Sequence, residues 1–143
     1  MVKRFSRIPN GIAFPSTQTL LSAVDRYLER ELKRAGVNQD IIADLAISVS
    51  ELVNNAILHG NQRDESKKVT LQLFFEAGAV TICVEDEGKG FDPGQVANPL
   101  EGENLMREVG RGIFIVRSLV DSVEFLRGQN GGVRVKLVKK FAV

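Results

Sequence analysis

Between residues 21 and 84 the apolar positions change period once, and that change limits the fold more than any other feature. Leu21, Val24, Leu28 and Leu32 recur at spacings of three and four, and so do Ile42, Leu45, Val49, Leu52 and Ala56. After the polar segment "NQRDESK" the period becomes two: Val69, Leu71, Leu73 and Phe75 alternate along one stretch, then Val80, Ile82 and Val84 along the next. Spacings of three and four place a stripe on one side of a helix, and a period of two places a row on one face of a strand. Two helices followed by strands, each apolar on one side only, have to cover one another.

The punctuation agrees with this reading. Ser16 after Pro15 is a candidate N-cap for the first helix, and Gly36 a left-handed stop. Asn38 can cap the second helix, which ends at Gly60. Before them "VKRFSRI" reads as an edge strand closed by a turn at Pro9, Asn10 and Gly11. After the two central strands come "EDEGKGFDPG" and then "QVANPLEGENLMREVG", a span too long and aperiodic for an ordinary connection. A helix is expected from Gly112, followed by strands "SVEFL" and "VRVKLVKKF" joined through Asn130 and Gly131, a strong hairpin signal. The predicted order is β-α-α-β-β-loop-α-β-β, an α+β fold with helices on one face of a mostly antiparallel sheet. At 43% hydrophobic, the chain suits one domain over residues 1–143.

Composition narrows the function. Nineteen basic against eighteen acidic residues give a formal net charge of +1, so no direct nucleic-acid binding is expected. The basic ends "MVKRFSR" and "VRVKLVKK" alternate with apolar residues, as strands with one wetted face do. No apolar run approaches the roughly 20 residues that span a bilayer, and no secretory signal is recognised, so no membrane association and a cytoplasmic location are expected. One cysteine, Cys83, and one histidine, His59, leave no internal disulfide and no ordinary zinc site. Cys83 has the opposite parity to Asp86 and receives no role.

Three polar clusters carry the chemistry. In "SELVNNAILHGNQ", Glu51 and Asn55 lie roughly 40° apart around a helix axis and one turn apart along it, with Ser48 continuing the same edge. A carboxylate there can serve as a general base, and an amide oxygen is a hard ligand suited to magnesium; a merely wet helix end is the plain alternative. In "DEGKGF", Asp86 keeps the parity of Val80, Ile82 and Val84 and should point to the core side, where a carboxylate needs donors. A purine amine would supply one, and a backbone amide or water would serve as well. Gly88 and Gly90 permit close approach to a flat ligand, or simply a turn. In "GRGIF", Gly110, Arg111 and Gly112 stand before a helix whose first amides can hold phosphate, unless a flexible loop merely enters it there. Neither glycine cluster is a P-loop or a dinucleotide fingerprint.

In this order, a helix ending "ExxxNAxxHG", a strand running into "DxGxGF" and a loop running into "GxGIxIV" resemble the GHKL ATPase superfamily of histidine kinases, gyrase and heat-shock chaperones. That resemblance implies the Bergerat two-layer α/β sandwich, with ATP and Mg2+ as cofactors. It implies Glu51 as general base, Asn55 as magnesium ligand, and Asp86 as acceptor of the adenine amine. Gly88, Gly90 and Phe91 would lie at the base, Gly110, Arg111 and Gly112 at the phosphates, with an ATP lid over about 92–110. His59 would hold the helix end by a hydrogen bond.

Nearly the whole chain, including "IPNGIAFPSTQTLLSAVDRYLERELKRAG" and "GRGIFIVRSLVDSVEF", is similar to bacterial anti-sigma-factor serine/threonine kinases. The resemblance implies a protein kinase that binds a sigma factor of RNA polymerase and phosphorylates an antagonist of the STAS type. It also implies a homodimer, for which exposed apolar residues of the first strand are the expected contact. The charged face of the first helix, around Arg26, Glu29, Arg30, Lys33 and Arg34, is a candidate docking surface or an ordinary solvated one. The alternative is an ATP-gated binding switch of the same fold, without phosphotransfer, acting on a phosphatase or sensor complex. A detached histidine-kinase domain is less expected, because no dimerising helix with a phosphoacceptor histidine is recognised and His59 sits inside the ATP motif.

Overall fold

The structure is a computed structural model, which describes residues 4–89 and 110–142. Six strands form one sheet in the order β1-β2-β3-β4-β6-β5, every neighbouring pair antiparallel. The strands are β1 (Ser6–Ile8), β2 (Gly11–Pro15), β3 (Lys68–Glu76), β4 (Ala79–Glu85), β5 (Ser122–Arg127) and β6 (Val133–Lys140). Helices α1 (Leu21–Arg34) and α2 (Gln39–Asn55) stand between β2 and β3, and α3 occupies residues 110–119.

Each helix forms where its stripe and caps agree. Val24, Leu28 and Leu32 of α1 are buried, and the chain leaves the helix through Gly36 at φ +82°, with Val37 N donating to Leu32 O at 3.1 Å. Asn38 caps α2 by accepting from Ile41 N at 3.0 Å. Ile42, Leu45, Val49, Leu52 and Val53 of α2 then pack on Phe14, Val69, Leu71, Ile82, Val84 and Leu137 of the sheet, with Ile113 and Val116 of α3 in the same core. The expected α+β layering therefore stands, with one face of the sheet covered by helices.

Contrary to the expectation that no apolar run is long enough, residues Gln39–Gly60 have a mean hydropathy of 1.5 over their most apolar window and are long enough to cross a membrane. Their apolar stripe lies in the sheet–helix core, where a soluble fold also places such a helix.

The beginning of the chain departs from expectation. Ser16 is not a helix cap. It directly follows the unforeseen strand β2, whose Ile12 and Phe14 enter the core, and its Oγ donates to Lys67 O at 2.6 Å. The cap is Thr17, which opens a 3-10 turn over Gln18–Leu20 before α1. Five residues are too few for a period of two to stand out, and Pro15 resembles a helix start. β1 is an edge strand, as expected, but Phe5 beside it packs against Phe14 with ring centroids 5.8 Å apart. Phe5 is partly buried against the core.

Candidate functional site

α2 does not stop at Asn55. Its last turn widens into a π-helical turn over Ala56–Gly60, where Asn61 N donates to Ala56 O at 2.8 Å. Glu51 and Asn55 are both half-buried just before this wide turn. The helix α3 passes against them: a Cβ placed on Gly112 would lie 2.6 Å from Glu51 Oε2 and 3.7 Å from Asn55 Nδ2. With Glu51 placed as it is, a side chain at Gly112 would displace its carboxylate, and Gly112 is buried. The first and third sequence clusters thus form one wall.

Ser48 does not belong to it. It is fully buried, and its Oγ turns back to donate to Asp44 O at 2.8 Å, because a serine in mid-helix can satisfy its hydroxyl on the preceding turn. Gly110 and Arg111 are exposed and already helical, so α3 includes residues before Gly112, where the sequence reading began it. The Gly110 Cβ position is open. Gly90, Phe91 and nearly all of the expected lid over 92–110 lie outside the described residues.

The second cluster sits at the end of β4. Asp86 is 5% exposed and points to the core side, as its parity required. Its Oδ1 accepts from Gly88 N at 2.9 Å and from Val133 N at 3.2 Å. Burial pushes its carboxyl above the ordinary carboxylate range, while those two amides pull the other way by favouring the ionised form. Three glycines close around it. A Cβ on Gly60 would lie 2.2 Å from Asp86 Oδ2, one on Gly132 2.5 Å from Oδ1, and one on Gly88 2.0 Å from Gly60 O. The π-helical turn, the β4 exit and the β5–β6 hairpin all meet at this one carboxylate.

At one end the half-buried Asn55 carries an amide oxygen, a hard donor, and at the other Asp86 carries a buried carboxylate acceptor. Glycine backbone lines Asp86 where side chains would fill the space. Among the described residues no group of three His, Cys, Asp or Glu could hold a metal. Magnesium does not require one, since it takes one or two protein oxygens and completes its shell with phosphates and water.

One residue that the sequence reading passed over organises this region. Asn61, in the loop "NQRDESK", is 1% exposed. Its Nδ2 donates to Ser16 Oγ at 2.6 Å and to Lys68 O at 3.0 Å, and its Oδ1 accepts from Glu87 N at 2.8 Å. An asparagine in a polar loop gives no local sign of this. Glu87 Oε1 in turn accepts from Lys68 N, and Gln129 N donates to Glu85 Oε2 at 3.1 Å, so acidic side chains beside Asp86 hold its neighbours in place.

Comparison with known proteins agrees with the geometry. The family model described as the histidine kinase-like ATPase domain matches residues 14–139. The chain is similar to serine-protein kinase RsbW of Staphylococcus epidermidis, 31% identical over 133 residues that cover 87% of this chain and 82% of that protein. It is 28% identical over the same shares to serine-protein kinase RsbW of Staphylococcus aureus strain JH9. The solved RsbU and RsbW domains of Rv1364c from Mycobacterium tuberculosis share its fold with a TM-score of 0.60 at 21% identity, covering 93% of this chain and 34% of that one. The chain belongs to the histidine kinase-like ATPase family, among its RsbW-type serine-protein kinases.

Proposed function

We propose that this protein serine/threonine kinase uses Mg-ATP to phosphorylate a STAS-type anti-sigma-factor antagonist and binds a sigma factor when that antagonist does not compete. The observation that carries the site assignment is the meeting of Glu51, Asn55 and Gly112 at one end of a wall whose other end is Asp86. In this reading Asp86 Oδ2 receives the adenine amine and Gly88 lies along the base, Gly90 and Phe91 belonging to the same sequence motif. Asn55 Oδ1 would be the protein's ligand to magnesium, which when bound would neutralise charge on the phosphates. Gly110, Arg111 and Gly112 bring backbone amides and one positive charge to the phosphate end.

Glu51 takes the proton of the partner's serine or threonine hydroxyl. That oxygen bonds to the γ-phosphorus as the bond to the ADP oxygen breaks. Catalysis rests mainly on positioning and on neutralising charge, as phosphoryl transfer requires. A cytoplasmic homodimer belongs to the same reading.

The test is capture of a sigma factor by the purified chain. Retention in the presence of Mg-ATP, and release when a STAS-type antagonist is added, is the expected result. Failure to retain any sigma factor of the source organism would remove the anti-sigma role while leaving kinase activity to be judged separately.

A further inference from the structure

The binding of Mg-ATP proposed above requires the Asp86 end and the Asn55 end of the site to stand at a fixed separation, and these ends lie on different elements. Asn55 ends α2, whereas Asp86 leaves β4. Between them runs the short segment Ala56–Asn61, and its last residue is the one that reaches across. Asn61 Oδ1 holds Glu87 N, the amide immediately after Asp86. Its Nδ2 is held by Ser16 Oγ at the end of β2 and by Lys68 O at the start of β3. Three strand ends are thus joined through one buried amide.

The backbone bends to bring that amide inward. Gln62 and Arg63, directly after Asn61, have φ of 52° and 61°, left-handed conformations that cost a residue with a side chain about 1 kcal/mol or more each. Gly60, directly before it, lies against Asp86 so closely that no Cβ fits. Asn61 thus stands between a glycine packed on Asp86 and two left-handed residues.

We propose that Asn61 is a positioning residue: through Glu87 N it sets the Asp86 carboxylate against the helix end that carries Asn55, and so sets how strongly the site discriminates for the adenine amine. The proposal rests on the ATP reading of this site. Asn61 touches no part of the nucleotide in it.

The test uses the full chain and two triphosphates, ATP and purine riboside 5′-triphosphate, which lacks the 6-amine, each titrated with Mg2+. Wild type is expected to prefer ATP. Asn61→Ala should contract that preference about tenfold, the worth of one hydrogen bond lost at Asp86, with little change for the analogue. A purely structural role for Asn61 would weaken both triphosphates together and leave the ratio unchanged, and that result overturns the proposal.

Where Asn61→Ala does not melt cooperatively, Ser16→Ala carries the test. It releases one of the two Nδ2 partners yet keeps the backbone bond from Ser16 N to Lys67 O at 3.2 Å. A contraction of about two- to threefold supports the proposal, and an unchanged ratio overturns it. A wild type that binds both triphosphates equally would instead remove Asp86 from the base site and overturn the underlying reading, with this proposal following it. A wild type that discriminates, beside variants with the same ratio, faults the role of Asn61 alone.

Discussion

Gly112 of α3 and Glu51 of α2 are in contact, and a Cβ on Gly112 would stand 2.6 Å from Glu51 Oε2. The atom displaced by such a Cβ is the far end of a flexible side chain, so the carboxylate would move while the backbone stays. Gly112→Ala is therefore expected to lower phosphotransfer about ten- to a hundredfold through misplacement of the proposed base. Its melting temperature should hold, because alanine is favoured over glycine within a helix by about 0.5–1 kcal/mol. Parallel transfer assays and thermal melts check this, and a loss of stability without loss of transfer would contradict it.

Asp86→Asn should separate stability from binding. Burial raises the Asp86 carboxyl above its ordinary value of 3.8, so the folded protein holds that proton more tightly than the unfolded chain does. The stabilisation from the protonated form is fully present below the ordinary value and is lost as pH rises through the folded one. At neutral pH the ionised group costs stability, which a neutral amide of the same shape avoids. The variant is expected to melt above wild type at neutral pH, the gap closing as the pH falls toward about 4. Mg-ATP affinity should fall tenfold or more, because a donor replaces an acceptor at the base. Melting curves across this range and calorimetric titration check the two halves, and unchanged affinity would remove Asp86 from the adenine site.

Arg63→Gly should relieve strain. Arg63 is exposed at φ 61°, where glycine carries no Cβ penalty but adds freedom to the unfolded chain. The net gain expected is about 0.5 kcal/mol, or about one to two degrees in melting temperature. A lower melting temperature would show that the Arg63 side chain contributes more than its backbone costs.

Local signals explain what could be read from the residues. Gly36 and Asn38 announce a helix end and a helix start, and both act there. Asn130 and Gly131 turn the last hairpin, with Gly131 at φ +86°. The parity of β4 gives Asp86 its direction. Phe75 shares the parity of Leu71 and Leu73 yet is 42% exposed, since a period of two gives the face and cannot say how far the helices cover it.

What stayed hidden is held together over distance. Asn61 bonds to Ser16, 45 positions before it, and to Glu87, 26 positions after it, so no window of sequence contains the network. The same network explains the misreading of Ser16. Its hydroxyl is the sort that caps a helix, and only the arrival of Asn61 and Lys67 gives it a different partner. The π-helical turn over Ala56–Gly60 likewise lacks a local sign, since "AILHG" continues an ordinary helical pattern.

Glu51 is the proposed base of this protein kinase. The most direct measurement is transfer of the γ-phosphate from ATP to candidate STAS-type antagonists of the source organism, comparing wild type with Glu51→Ala. Transfer by the wild type, falling at least a hundredfold in the variant while Mg-ATP stays bound, is the expected result. Transfer undiminished in Glu51→Ala, or none by a wild type that binds Mg-ATP, would contradict it, the second outcome pointing to an ATP-gated binding switch.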